Sequence, residues 1–330
     1  MSQVQRAPRA FRQKSLWLPL AAVLALVAMV AVWLSGVWTA DRFSEYPMQV
    51  KTDIPTAIDV APNGAVWFII EFSDAVGIFQ NGKIRRIRRK DQNLEVLGLA
   101  VDDAGGAWVT DAAARAISHI LADGELRSFP LSTPIVRLGR LALAPDGAVW
   151  FADMLMASVT RLQNGVFTTH SMGQQGGTPY GIALDRSGNI WTTLQGPDKL
   201  GRISSSGELT TFDVPTRNSG LGDLAIDQSG AVWFLELRAN KVGRFAEGRF
   251  AEFEVPTPSA GLASLAAAPD GSLWFTELSV GKLGRIKNGQ VSEFSFPRAG
   301  SRPFGVAVDT SNVVWYTDLR GWLGRLTVSR

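Results

Sequence analysis

The chain has 330 residues, a formal net charge of +3, 46% hydrophobic residues and no cysteine. Without cysteine it can form neither a disulfide framework nor a thiolate metal site. The first 40 residues hold four basic residues and no acidic one, which leaves a net charge of −1 on the remainder, so the basic overall balance is no indication of nucleic-acid binding.

The N-terminal segment has the pattern of a membrane anchor. Basic residues are spread over residues 1–14, and residues 15–40 form an uncharged run rich in Leu, Ala and Val. A membrane-spanning helix needs about 20 apolar residues. We predict a basic cytoplasmic N-terminus (1–14), one transmembrane signal-anchor helix (15–40) and a domain of residues 41–330 outside the cytoplasm. The alternative is a cleaved signal peptide, although cleavage after Ala40 would place Trp38 where a small residue is expected.

Tryptophan recurs beyond residue 60 at intervals of 41 or 42 residues. The seven positions are Trp67, Trp108, Trp150, Trp191, Trp233, Trp274 and Trp315. A glycine stands three residues before the Trp in six units, and Asn312 takes that place in the seventh. Both residue types tolerate a left-handed backbone, which predicts a tight turn leading into the Trp strand. A β-rich repeat of this length is typical of a β-propeller with four strands in each blade.

Each unit divides into four predicted strands. In the fourth unit these are an apolar inner strand from Gly181, the Trp strand from Asn189, a third strand from Lys199 and an outer strand from Glu208. We therefore predict an all-β fold, a seven-bladed β-propeller of four-stranded blades preceded by the transmembrane helix. The Trp side chains are expected in the core between neighbouring blades.

A basic run, residues 83–90, falls on the outer strand of the first predicted blade. Charged residues on an outer strand discourage edge-to-edge pairing of sheets. The alternative is a contact with anionic lipid headgroups or an acidic polymer close to the membrane.

The seventh unit has an inner strand, a Trp strand and a third strand but no outer strand. Residues 43–47 (FSEYP) resemble the outer-strand segment 291–294 (VSEF), which Pro297 follows. We therefore predict that residues 43–48 supply the outer strand of the last blade, so that no sheet edge is left open at the join.

Acidic residues recur three positions after the Trp, at the predicted end of the second strand. The turn from second to third strand is expected on the face that carries the mouth of the central channel, where these carboxylates would bind a divalent cation or a cationic ligand. The candidates are Asp111, Asp153, Glu236, Glu277 and Asp318, with Glu71 one place later in the first unit. Alternatively, each pairs with the arginine that recurs on the third strand: Arg161, Arg202, Arg244, Arg285 and Arg325.

A second column lies eleven residues before each Trp, where the inner strands begin at the mouth. It reads Thr56, Leu97, Gly139, Tyr180, Gly222, Ala263 and Phe304. Tyr180 and Phe304 each stand between a proline and a glycine. Their rings would stack on a ligand, or alternatively pack against the next loop.

Several segments together resemble a known family. They are the unit from Trp274 to Ile286, the Val-Pro-Thr linkers at 214–216 and 255–257, and the Pro-Tyr-Gly-Ile segment at 179–182. In these the chain resembles the virginiamycin B lyase (streptogramin B lyase) family over residues 43–330. The resemblance implies a bacterial protein, and with it an inner (cytoplasmic) membrane anchor and a propeller in the periplasm or cell exterior.

The resemblance also implies a chemistry: elimination that opens a cyclic depsipeptide antibiotic at its ester, with Mg²⁺, histidines and glutamate. The family's catalytic histidines stand in Pro-His motifs that open the inner strands of the last two blades. Ala263 and Phe304 hold the matching positions here, and Arg302 stands where the family has a glutamate. The chain's two histidines, His119 and His170, fall on a third and an outer strand. Histidine-assisted elimination would thus lose its general acid and base.

Two functions remain open from the sequence. The first is a noncatalytic ligand- or protein-binding platform, with Tyr180, Phe304, Arg302 and Glu236 as candidate ligand-binding residues. The second is a carbon–oxygen lyase acting on a cyclic peptide or ester, with Glu277 and Asp318 as candidate catalytic residues. Mg²⁺ would enter by family resemblance, and its candidate ligands are Asp111, Asp153, Glu236, Glu277 and Asp318.

The expected partners follow from the same segments. They are the membrane, through the N-terminal helix, and a small-molecule or peptide ligand at the channel mouth. We expect no nucleic acid and a monomeric propeller.

Overall fold

The computed structural model describes residues 42–71, 73, 75–88, 97–133, 136–173 and 177–328. Phe43–Thr327 forms one unit, and Met1–Arg42 with Val328–Arg330 forms a second, of which only Arg42 and Val328 are described. The predicted basic N-terminus (1–14) and transmembrane helix (15–40) lie outside the described residues. Within the described ranges, no helix is long and apolar enough to cross a membrane.

Seven four-stranded antiparallel sheets make up the described fold. Blade 1 consists of β2 (Ile54–Val60), β3 (Val66–Glu71), β4 (Ala75–Gln80) and β5 (Lys83–Arg88). Blade 2 consists of β6 (Leu99–Val101), β7 (Ala107–Asp111), β8 (Ala116–Ile120) and β9 (Leu126–Pro130). Blade 3 consists of β10 (Leu138–Leu143), β11 (Val149–Asp153), β12 (Ser158–Gln163) and β13 (Val166–Ser171).

The remaining blades repeat the same order of strands. Blade 4 consists of β14 (Thr178–Leu184), β15 (Ile190–Gln195), β16 (Lys199–Ile203) and β17 (Leu209–Asp213). Blade 5 consists of β18 (Leu221–Ile226), β19 (Val232–Glu236), β20 (Lys241–Ala246) and β21 (Arg249–Glu254). Blade 6 consists of β22 (Leu262–Ala267), β23 (Leu273–Glu277), β24 (Lys282–Lys287) and β25 (Gln290–Ser295). Blade 7 consists of β26 (Pro303–Val308), β27 (Val314–Asp318), β28 (Trp322–Thr327) and, as its outer strand, β1 (Arg42–Pro47).

The inner strands form a closed ring, because each contacts the next and β26 contacts β2. These strands approach so closely that a Cβ on Gly305 would lie 2.5 Å from the carbonyl oxygen of Thr56. Threonine hydroxyls two residues after the Trp also join blades at this level: Thr317 Oγ1 donates to the Thr56 carbonyl, and Thr193 Oγ1 donates to the Gly222 carbonyl. Blade 7 is thereby bonded directly to blade 1.

The predicted turn before each Trp strand is confirmed. The glycine three residues before the Trp has a positive φ in all six units, between 78° and 85°, and Asn312 has a φ of 63°. Six of the seven recurring Trp side chains are buried in the cores between blades, and Trp108 is half-buried. In blades 4, 5 and 7 the indole N–H also donates to an aspartate of the preceding turn: Asp185, Asp227 and Asp309.

The strand directions distinguish two faces of the propeller. Inner strands begin, and second strands end, on the face that we call the mouth face. In each blade, the turn between the first and second strands and the turn between the third and fourth strands lie on the opposite face. Since an outer strand runs towards the mouth face, β1 begins on the opposite face.

Candidate functional site

Aromatic side chains from two blades meet where the inner strands begin. Tyr180 of β14 and Phe304 of β26 line one cavity at the mouth, together with Thr56, Glu71, Leu97 and Arg140. Its volume is about 20 Å³, and a single water needs on the order of 10–15 Å³. The structure therefore brings Tyr180 and Phe304 together, around a cavity that by itself holds about one water.

An ion pair crosses the channel beneath this cavity. Arg140 Nη2 of blade 3 lies 3.0 Å from Asp223 Oδ2 of blade 5, and Arg140 Nη1 donates to the Leu97 carbonyl of blade 2 at 3.3 Å. Ser264 Oγ of blade 6 donates to Asp223 Oδ2 at 2.9 Å. Burial lowers the pKa of Arg140, but Asp223 and Tyr180 outweigh it and raise that pKa. The guanidinium therefore stays charged, and the network of Arg140, Leu97, Asp223 and Ser264 links blades 2, 3, 5 and 6.

The channel continues beyond the ion pair as a cavity of about 280 Å³. Its wall includes Asp59, Arg140, Asp223 and Ser264 among aliphatic side chains. Burial raises the pKa of Asp59 to about 6, although the carboxylate accepts the N–H groups of Val101 and Val60. The cross-channel ion pair thus separates the mouth from a second polar compartment.

Arg140 and Asp223 are not among the site residues predicted from the sequence. They stand one residue after Gly139 and Gly222, on inner strands whose residues at this position are otherwise small: Ala57, Gly98, Gly181, Ser264 and Gly305. Two opposite charges in a column of small residues were the available signal. Because the inner strands surround one axis, charges at the same level of different blades can meet across it.

Of the three glutamates predicted at the mouth, Glu71 lines the mouth cavity, whereas Glu236 and Glu277 are buried inside blades. The side chains of Glu236 and Glu277 are 0% exposed, and within the described residues neither oxygen of either carboxylate has a hydrogen-bond partner. Burial, reinforced by a nearby glutamate, raises the pKa of each to about 7. Neither residue lines the mouth cavity, so the structure does not bring Glu236 or Glu277 together with Tyr180 and Phe304.

A lysine and a second glutamate lie beside each buried glutamate. In blade 5, Lys241 Nζ lies 3.1 Å from Glu252 Oε2 and 3.3 Å from Thr216 Oγ1. In blade 6, Lys282 Nζ lies 2.6 Å from Glu293 Oε2 and 2.7 Å from Thr257 Oγ1. The threonines belong to the Val-Pro-Thr linkers, so the recurring linker binds the outer strand of the blade that follows it.

Aspartates also occur three residues after the Trp, where Asp111 and Asp153 accept hydrogen bonds within turns and Asp318 takes part in the closure of the last blade. Asp153 Oδ1 accepts the N–H groups of Leu155 and Met156, and Asp111 Oδ1 accepts that of Ala114. Each of these carboxylates thereby holds the turn that follows its own strand.

Asp318 is engaged on both oxygens. Its Oδ2 accepts Arg298 Nη2 at 2.5 Å and the Arg302 N–H at 3.0 Å, and its Oδ1 accepts the Arg320 N–H at 2.7 Å. Arg302 is exposed and adjoins Pro303, the first residue of β26. Its backbone thus contacts Asp318, while its side chain is not part of the mouth cavity wall.

These placements test the fit of Mg²⁺ to the candidate ligands. Within the described residues, no three His, Asp or Glu side chains form a group that could hold a metal ion. Glu236 and Glu277 are enclosed in different blades, and Asp318 is bound by a guanidinium group and two backbone N–H groups. The arrangement does not fit Mg²⁺, and we derive no chemical step through it.

The alternative pairing of these carboxylates with third-strand arginines is wrong. Arg202, Arg244, Arg285 and Arg325 lie over the Trp rings of their own blades, 5.5 to 5.8 Å from the ring centroid. Arg161 lies over Trp150 and also bonds to Asp146, in a turn of the opposite face. The register explains this, because each arginine is directly opposite the Trp and not opposite the acid.

The two histidines also stack on tryptophans. His119 lies parallel to Trp108 with centroids 4.2 Å apart, and its Nε2 is 2.6 Å from Asp102 Oδ2. His170 stacks on Trp150 and lines a groove between blades 3 and 4 at the opposite face. Neither lines the mouth cavity.

Comparison with known proteins identifies the family. A curated virginiamycin B lyase from Nocardia farcinica is 29% identical over 192 residues, which cover 57% of this chain and 65%, less than two thirds, of that enzyme. The crystal structure of a catalytically inactive histidine-to-alanine variant of virginiamycin B lyase from Staphylococcus aureus with quinupristin has a TM-score of 0.83 at 27% identity, covering 88% of this chain and all of that one. A streptogramin B lyase structure has the same TM-score at 24% identity, with 88% and 98% coverage. The model of the virginiamycin B lyase family matches residues 41–327, and the chain therefore belongs to that family.

Proposed function

We propose that this chain binds a ligand at the mouth of its propeller and does not carry out histidine-assisted elimination. The observation that carries the proposal is the composition of the mouth, where Tyr180, Phe304, Thr56 and Arg140 line the cavity and neither of the chain's histidines does. The inactive S. aureus variant shows that loss of one histidine abolishes catalysis in that relative. In this chain, Ala263 and Phe304 hold the two histidine positions that the family resemblance assigns.

The mouth offers aromatic and hydrogen-bonding surface to such a ligand. Tyr180 and Phe304 are half-buried, so part of each ring faces solvent. Rings exposed beside a charged and hydrogen-bonding rim suit a cyclic peptide or a similar amphipathic molecule. The inactive relative was crystallised with quinupristin, which makes a streptogramin B the first ligand to test. A peptide segment of a partner protein is the other form that this ligand chemistry takes.

A lyase with altered residues is the second candidate. Family membership favours it, because the match extends over residues 41–327. A base other than histidine would then have to remove the proton as the ester C–O bond breaks. Glu277 is enclosed and Asp318 is engaged with Arg298, so either carboxylate would first have to leave its present contacts. Among the predicted carboxylates, Glu71 already lines the mouth cavity.

The two candidates separate in one experiment on the purified protein with quinupristin and Mg²⁺. An elimination product has the mass of the intact ring, so chromatographic retention and tandem mass spectrometry identify it. We expect no ring opening. We expect heat of binding by calorimetry, with the affinity weakened about tenfold or more in Tyr180→Ala, the loss of about 1.4 kcal/mol that one ring contact supplies.

The matched variant carries Ala263→His, Arg302→Glu and Phe304→His, the residue types that the family resemblance implies. Ring opening by this variant alone would locate the lost chemistry at those positions. Ring opening by the unsubstituted protein would overturn the binding proposal in favour of the lyase. Absence of both ring opening and binding would show that the mouth serves a different ligand class.

We further propose that residues 15–40 anchor the protein in the inner membrane, with the propeller in the periplasm or cell exterior. The uncharged run of residues 15–40 and the basic flank before it support this. Fractionation of cells, with protease added to spheroplasts, tests the proposal: recovery of the intact protein in the soluble cytoplasm would refute it.

A further inference from the structure

A second cavity lies between blades 2 and 3 on the mouth face, apart from the channel. Its volume is about 210 Å³, many times the space that one water needs. Its polar wall consists of one carboxylate and five hydroxyl side chains: Asp153, Ser132, Thr133, Ser158, Thr160 and Thr169. Phe151, Phe167, Leu131 and Met156 form the apolar part. The cavity therefore has room for a small organic group, and its wall holds one carboxylate among hydroxyl groups and aromatic rings.

In blades 5 and 6, a lysine side chain fills the position that corresponds to this cavity. There a lysine ammonium group lies between the outer-strand glutamate and the linker threonine, at 2.6 to 3.3 Å. The buried Glu236 or Glu277 faces the same lysine from the second strand, as its opposite residue in the ladder. The repeat thus contains two built-in ammonium sites.

The strand register identifies the corresponding residues of blade 3. Asp153 pairs with Ser158 as Glu236 pairs with Lys241, and Thr160 pairs with Thr169 as Gly243 pairs with Glu252. Pro130 ends the outer strand of blade 2, and Glu254 ends that of blade 5. The linker threonines Thr133 and Thr257 each lie three residues after these ends. Blade 3 therefore keeps a carboxylate and two hydroxyl groups around the position, but the lysine is replaced by Ser158.

We propose that the cavity binds a primary alkylammonium group, which takes the place of the missing lysine side chain. Asp153 neutralises the charge, and the hydroxyl groups of Thr133 and Thr169 accept hydrogen bonds from the ammonium. The alkyl chain lies against Phe151 and Phe167, whose rings meet edge to face at 6.3 Å. The group belongs either to a free amine or to a lysine side chain of a partner.

Charge and exposure favour this occupant. Asp153 and Ser158 are 5% and 3% exposed. A cation that reaches them leaves water, and this cost is offset only where an opposing carboxylate and further hydrogen-bond acceptors replace its hydration. One positive charge balances one negative charge, and hydroxyl groups are natural acceptors for the remaining N–H bonds of an ammonium. The side chains of Leu155 and Met156 are 53% and 54% exposed beside the cavity, which gives an alkyl chain apolar surface at the entrance.

The test is a titration of the full-length protein with n-butylammonium, followed by ligand-observed NMR and calorimetry, with n-butanol as the uncharged analogue. We expect a dissociation constant on the order of millimolar, as for a small ligand with one ion pair. The same titration with Nα-acetyl-lysine methylamide distinguishes the sources. Binding of both amines indicates a lysine-bearing partner, and binding of n-butylammonium alone indicates a free amine.

Two variants make the test specific. Asp153→Asn keeps an oxygen for the Leu155 and Met156 N–H groups but removes the charge, and it should weaken binding at least tenfold. Ser158→Lys recreates the lysine of blades 5 and 6 and should abolish binding while melting at or above the temperature of the unsubstituted protein. Undiminished binding to folded Ser158→Lys, equal binding of n-butanol, or no binding of either amine would overturn the proposal. None of these outcomes depends on whether a ligand binds at the channel mouth, so the test is independent of the proposed function.

Discussion

A protein that begins at residue 52 is expected to melt at a much lower temperature than one that begins at residue 41. The shorter chain lacks β1, which is the outer strand of blade 7 and pairs with β28. Its loss leaves the backbone groups of β28 without partners along a whole sheet edge, next to the join between the last and first blades. An open edge of this kind both destabilises the blade and promotes pairing with other chains.

The side chains of β1 add to the backbone bonds. Glu45 accepts both Nε and Nη2 of Arg298, which also holds Asp318, and it accepts the Tyr316 hydroxyl at 3.2 Å. Burial and the adjacent Glu45 raise the pKa of Tyr316, so the hydroxyl stays protonated as a donor. Removing β1 takes one carboxylate from this network and leaves a buried phenol without its acceptor.

Aromatic packing is lost in the same truncation. Phe43 packs on Phe296 with centroids 5.2 Å apart, and Tyr46 packs on Phe79 of blade 1 at 4.4 Å. The side chains of Phe43 and Tyr46 are half-buried, so each loss costs less than that of a fully buried aromatic side chain, about 3–5 kcal/mol. Together with the open edge, the two losses are still large beside the stability of a typical domain, about 5–15 kcal/mol.

Thermal and urea unfolding of the two chains measure the difference. Glu45→Gln in the longer chain is the matched control, because it keeps the strand and its rings and weakens only the bonds that Glu45 accepts from Arg298 and Tyr316. We expect its midpoint to lie between those of the two chains. Coincident melting curves for the chains beginning at 41 and 52 would show that β1 contributes nothing to closure.

The fold could be read from the sequence because each blade repeats the same local signals. The Trp interval gave the number of blades, and the glycine or Asn312 before each Trp marked a turn whose positive φ only certain residues adopt. The resemblance between segments 43–47 and 291–294 was visible for the same reason. A strand that fits blade 6 fits any blade, because the blades share one backbone geometry.

The positions of the acidic side chains could not be read in the same way. A strand places alternate side chains on opposite faces, so Glu236 and Glu277 point away from the side that carries the Trp. Both faces of a propeller blade are covered by neighbouring blades, and a residue at a strand end can therefore be enclosed instead of reaching solvent. Their neighbours, such as Lys241 and Glu252, come from later strands of the same blade. The spacing from the Trp in the sequence reveals neither that these glutamates are enclosed nor which residues surround them.

The cross-channel pair is another case of non-local contact. Arg140 and Asp223 belong to blades 3 and 5, with one blade between them along the chain, yet they meet because both side chains enter the same narrow channel. The repeat pattern predicts their level in the channel but not the direction of each side chain. The family resemblance concerns other positions, 263, 302 and 304.

The buried glutamates lead to the second large expected effect. Burial raises the pKa of Glu236 and of Glu277 from an ordinary 4.5 to about 7. In the unfolded chain both groups release their protons near pH 4.5, whereas in the folded protein they hold them until about pH 7. The free energy of unfolding is therefore not reduced by these two groups below pH 4.5. Their unfavourable contribution grows as the pH rises from 4.5 to about 7.

Replacement of both residues by glutamine should remove this loss. Each pKa unit corresponds to about 1.4 kcal/mol, so each glutamate lowers the free energy of unfolding by roughly 3 kcal/mol at pH 8. We expect the double variant Glu236→Gln, Glu277→Gln to be more stable than the unsubstituted protein by several kcal/mol at pH 8 and nearly equal to it at pH 4.5. Urea unfolding at a series of pH values measures the difference.

The partner glutamates provide the control of opposite sign. Glu252 and Glu293 accept bonds from a lysine and a threonine, and these bonds hold the pKa of each carboxyl below its usual range despite burial. Glu252→Gln and Glu293→Gln should therefore destabilise the protein at pH 8, since a lysine loses its charged partner while Glu236 or Glu277 remains. If the variant Glu236→Gln, Glu277→Gln gains the same free energy of unfolding at pH 4.5 and at pH 8, the gain would come from better packing of glutamine and not from removal of charge. A gain that grows between these two values shows that enclosed charge limits the stability of blades 5 and 6.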